Sequence, residues 1–67
     1  MADERERILS ELERVRAMLY KNEQLFDLAV ESSEIDALIY EHRALMIRYS
    51  ALIEKARSEN IKGEYIL

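Results

Sequence analysis

Apolar residues recur at alternating intervals of three and four through two long stretches of this chain. In the first, Ile8, Leu12, Val15, Leu19, Asn22, Phe26 and Ala29 share one seam, and Leu9, Met18, Leu25 and Leu28 widen it. In the second, Ile35, Leu38, His42, Leu45, Tyr49, Leu52 and Ala56 repeat the rhythm, with Ile39, Met46 and Ile53 alongside. This is the spacing of a helix packed lengthwise on another helix. Each stripe is about 100° wide, the width a core-facing helix needs. Strand is the poorer reading, because the apolar positions do not alternate and the runs are too long.

The pattern predicts helix 1 over about residues 3–30, helix 2 over about 34–61 and a short tail over 62–67, in a single domain of residues 1–67. The break falls at Glu31-Ser32-Ser33. A connection this short favours antiparallel neighbours. The fold class is therefore all-α: an antiparallel two-helix hairpin, coiled-coil-like, completing a four-helix bundle by dimerisation. One bent helix exchanged with a second chain would also satisfy the pattern. Ser33 is the expected N-cap of helix 2, with Asp36 completing a capping box. Asn60 to Gly63 end it, with Gly63 fitting the C′ position and the basic residues Lys55, Arg57 and Lys62 lying towards the C-terminus. Asn22 is the polar member of its seam. It either sets register from a buried position or is solvated at a margin.

A second apolar strip runs along helix 2. Ala37, Ala44 and Ala51 repeat every seven residues, with Tyr40 and Ile47 beside them. Charged lines separate it from the main stripe: Asp36, Arg43, Ser50 and Arg57 on one side, Glu41, Arg48 and Lys55 on the other. One neighbouring helix covers only one face. The small residues would admit a further helix at close range, so Ala37, Tyr40, Ala44, Ile47 and Ala51 form the expected self-association or partner surface. The bland alternative is a scatter of surface apolar residues, which is ordinary.

Composition sharpens this. A chain of 67 residues buries a small core, and it has no Cys to supply a disulfide or thiolate metal site. That leaves oligomerisation or unusually good helix packing as the staple. There is no Pro and a single Gly, which suits an all-helical chain. The net charge is −4, and no basic patch stands out, which argues against nucleic acid and anionic lipid as ligands. No stretch reads as a signal peptide or a membrane span. The expected setting is cytoplasmic, and the expected partner is a second copy, a homodimer, or another protein.

Candidate chemistry is sparse. His42 is the single His and falls in the seam, where a packed core role is expected. Position 39, three residues before it, is Ile, so the Glu-x-x-His pattern of di-iron bundles is missing. No phosphate loop is present. No catalytic residue, cofactor or metal is expected. Met18 and Met46 read as core filler.

From Phe26 onward the chain resembles the YaaL-like family. These are small uncharacterised helical proteins of endospore-forming bacteria and their relatives, encoded beside the recombination mediator RecR. The resemblance rests on Ile35-Asp36, Ile39-Tyr40, Ala44, Arg48-Tyr49, Leu52-Ile53, Ala56-Arg57 and Asn60-Ile61-Lys62. It implies a context, not an activity. A narrower stretch, Ser32-Ser33-Glu34-Ile35-Asp36 followed by Leu38-Ile39, resembles the Ser-Gln-Glu-Leu-Asp signature of small helical-hairpin phosphatases. Those enzymes act on the aspartyl phosphate of a sporulation response regulator. The resemblance implies roles for Ser32, Glu34 and Asp36, with Asp36 near the partner's phosphoaspartate. Ser33 and Ile35 depart from the signature.

Overall fold

The computed structural model describes residues 3–61 as two α-helices packed as an antiparallel hairpin, with no strand among the described residues. Helix α1 spans Glu4–Leu28 and α2 spans Ser32–Ser58. Among the described residues, no helix is long and apolar enough to cross a membrane. The expected tail from residue 62, including Gly63, lies outside the described residues.

α1 starts on a sound cap. The Asp3 carboxylate accepts from the Glu6 amide at 2.8 Å, and Glu4 and Glu6 place negative charge on the first turn. Both effects favour a helix start. Its other end is less well supported. The last turn carries no basic residue, and Asp27 lies near the negative pole. The chain then leaves the helix through Ala29, which is extended at φ −72° and ψ 138°.

The bend has the three-residue length that the sequence predicts but lies two residues earlier in the chain. Ser33 is not the N-cap: Ser32 and Ser33 are the first two residues of α2, and Glu31 is the cap. Glu31 is extended at φ −80° and ψ 139°, makes no side-chain cap bond, and offers its carbonyl to the Ile35 amide at 3.0 Å. The capping box of Ser33 and Asp36 is therefore not formed. The chain reverses at Ala29, Val30 and Glu31 instead, and β-branched Val30 suits the extended turn better than a helix.

α2 also ends earlier, and on a different residue. Asn60 takes the left-handed conformation at φ 58°. Its amide bonds to the Arg57 carbonyl at 3.0 Å, and the Ile61 amide reaches the Ala56 carbonyl at 2.8 Å. This pair of bonds is a Schellman ending, with Asn60 in the role expected of Gly63. The accompanying apolar contact is present too, because Ile61 and Ala56 belong to one buried cluster with Ile8 and Leu12. Leu9, Tyr49, Leu52 and Ile53 pack against that cluster.

The core is concentrated at this terminal end. Leu12, Val15 and Ala56 are fully buried, and Leu38 and Leu45 carry the seam towards the bend. Several expected core residues are exposed instead: Met18, Leu25, Phe26, Leu28, Ile39 and Met46. His42 is exposed as well, so it is not a packed core residue. The cause is geometric. One neighbouring helix shields only the middle of a 100° stripe, so Met18, Leu25, Leu28, Ile39 and Met46 on its edges stay in solvent unless a third helix arrives. The seam residues Phe26 and His42 are exposed because they line an open cleft between the helices.

Candidate interaction surface

Asn22 fixes how the two helices align. It is 3% exposed, and its amide donates to the Leu38 carbonyl at 3.0 Å and to Glu41 Oε1 at 2.9 Å. Of the two readings the sequence allows, the buried one holds. A buried amide is costly unless bonded, and sliding the helices by one turn would break both bonds. This alignment places every residue described below.

On the far side of α2, the predicted strip of Ala37, Tyr40, Ala44, Ile47 and Ala51 is exposed along its whole length. Tyr40 is 72% and Ile47 65% exposed, so α1 covers neither. At 100° per residue the strip is centred roughly 150° around α2 from the seam that faces α1. Beside it, Arg43, Met46, Ile47, Ser50, Ala51 and Glu54 line a shallow depression of about 430 Å³. Met46 thus belongs to the open surface, which its core-filler assignment missed.

A second feature lies between the helices near the bend. Asn22, Glu23, Phe26, Asp27, Ile39 and His42 line a cleft of about 510 Å³. The sequence had put Phe26 and His42 in facing seams, and that pairing could have located the cleft. Its acids and His42 do not form a metal cage: no group of three or more His, Cys, Asp or Glu able to hold a metal occurs among the described residues.

Ser32, Glu34 and Asp36 are exposed in the first turns of α2. Ser32 and Asp36, four apart, share a side of the helix. Glu34 is about 200° away from each, so the three do not converge.

Electrostatics tie the terminal end rather than the strip. Lys55 Nζ lies 2.8 Å from Glu4 Oε1, joining the start of α1 to the end of α2. The hydrogen bond to Lys55, reinforced by its charge, holds the Glu4 carboxyl below its usual range. The same bond and the charge of Glu4 hold the Lys55 ammonium above its usual range. Both groups are solvent-exposed, so this is a surface clasp and not a buried pair.

The chain belongs to a family described as a protein of unknown function (DUF2508), whose model matches residues 2–63. No curated protein and no solved structure matches the chain.

Proposed function

We propose that this hairpin is a non-enzymatic binding module, and that it works through self-association on the exposed strip of α2. The exposure of Tyr40 and Ile47 on a face that α1 leaves bare carries the reading. Isolated surface apolar residues are ordinary, but these two are spaced seven apart and flanked by Ala37, Ala44 and Ala51. Small residues at that repeat let a second helix approach closely. The meagre core of the single hairpin gives the association a thermodynamic reason. The resemblance to YaaL-like proteins, an uncharacterised group, is compatible with a binding role.

The test is Ile47→Asp, read by sedimentation equilibrium beside the wild type. A charge in an apolar contact should raise the dimer dissociation constant at least about a hundredfold, the equivalent of some 3 kcal/mol. Circular dichroism should still report a helical chain. A wild type that stays monomeric at every concentration, or a dimer indifferent to Ile47→Asp, sinks the reading.

A further inference from the structure

The charges beside the strip say how a second copy would lie on it. In heptad terms, Ala37, Tyr40, Ala44, Ile47 and Ala51 form the apolar line. One flank reads Glu34, Glu41, Arg48, Lys55, acidic towards the start of the helix and basic towards its end. The other reads Asp36, Arg43, Ser50, Arg57. Flanking charges set partner choice and orientation when two helices pair. In an antiparallel pair each flank meets its own copy. In a parallel pair each flank meets the other one.

Parallel pairing fails on this pattern. It sets Asp36 against the partner's Glu41, and Arg43 against the partner's Arg48. Antiparallel pairing with the two-fold axis beside Leu45 and Met46 does the reverse. It sets Glu41 against the partner's Arg48, Glu34 against the partner's Lys55, and Asp36 against the partner's Arg57. Arg43 meets the partner's Ser50, and no like charges oppose. In the same register Ala44 lies across from the partner's Ile47, and Ala51 across from the partner's Tyr40, small against large. Sliding by one heptad spoils it. In one direction Glu41 meets the partner's Glu41 and Arg43 the partner's Arg43. In the other, Arg48 meets the partner's Arg48.

Resting on the self-association reading above, we infer that the occupant of the strip is a second copy of α2, antiparallel and two-fold symmetric about Leu45 and Met46. This arrangement is isologous, so each favourable contact occurs twice. It also revises the expected assembly. The strip lies nearly opposite the face that packs on α1, so the four helices stand side by side in one layer, α1–α2–α2–α1, and not as a square bundle. Lys55 already holds Glu4 of its own chain, so its pairing with the partner's Glu34 is the weakest of the three.

The test uses charge reversal in the full chain, read by sedimentation equilibrium with circular dichroism on the same samples. Asp36 and Arg57 are the first choice, because Glu41 also holds Asn22. Asp36→Arg and Arg57→Asp should each weaken the dimer roughly tenfold, from two attractive pairs turned repulsive. The double variant should return to within about threefold of wild type. Arg48→Glu, far from either helix end, should weaken it similarly and guards against effects on helix capping. A parallel pair predicts the opposite sign, since Asp36→Arg and Arg48→Glu would each relieve a like-charge contact and tighten it. Tightening, or no response in any variant, overturns this register. If Ile47→Asp still dissociates the dimer, the self-association reading survives that result. A wild type monomeric throughout overturns both.

Discussion

At the end of the hairpin away from the bend, α1 begins on the Asp3 cap, α2 stops on the Asn60 turn, and Glu4 and Lys55 join them across a core of Ile8, Leu12, Ala56 and Ile61. At the bend, α2 starts without a side-chain cap bond, α1 finishes with no basic residue in its last turn, and Phe26 and Ile39 flank an open cleft. A short connection is the end of a hairpin expected to be firmer, but among the described residues the opposite end is better packed. Cohesion follows where the apolar residues meet and where the helix dipoles are matched, not where the covalent link lies. The bend joins the helices without stapling them.

Five substitutions at four positions probe that contrast, and the largest effect belongs to the core. Leu12→Ala should cost about 3 kcal/mol in denaturant unfolding at fixed protein concentration, because Leu12 is fully buried. Phe26→Ala, a larger deletion near the bend, should cost only about 1 kcal/mol, since Phe26 is already 44% exposed. Equal losses would mean that the bend is as well packed as the termini.

Next comes the end of α2. Asn60→Ala should lower stability by about 1 kcal/mol, the usual penalty for a side chain with a plain Cβ in the left-handed region. Asn60→Gly should be neutral or better in the same thermal melts. A harmless alanine would show that the turn at Asn60 contributes little.

The smallest effect is electrostatic. Glu4 is held below its usual pKa, so its contribution is present above the ordinary carboxylate range and fades as pH falls through the folded value. Lys55 is held above its usual pKa, so its contribution is present below the ordinary lysine range and fades as pH rises through the folded value. The clasp therefore acts between those limits. Glu4→Gln should differ from wild type most near neutral pH, converge with it in acid, narrow in base as Lys55 loses its proton, and lose most of the difference in about 0.5 M salt. A difference that persists in acid or in salt would assign Glu4 another role.

The hairpin was legible in the three-four spacing because burial selects for that period, and Ile8, Leu12, Val15, Leu38, Leu45 and Ala56 are where the spacing puts them. The exposed strip was legible for the complementary reason: Tyr40 and Ile47 fit no seam that one partner could cover. What the spacing overstated was width. It counts Met18, Leu25, Ile39 and Met46 as core, yet one neighbour cannot reach the edge of a stripe. The ends were misread because several residues competed for each role. Ser33 is the better cap by type, but Glu31 has the backbone geometry. Gly63 is the better stop by type, but stopping at Asn60 returns Ile61 to the core. In each case tertiary placement outweighed local preference.

The Asn22 bond to the carbonyl of Leu38 has one more consequence. Its acceptor is main chain, so it is the same whatever side chain stands at position 38. This part of the alignment is therefore encoded once, at position 22, whereas the second bond, to Glu41, needs a matched side chain. A substitution at position 38 would disturb packing, because Leu38 is buried, yet it would leave this acceptor in place.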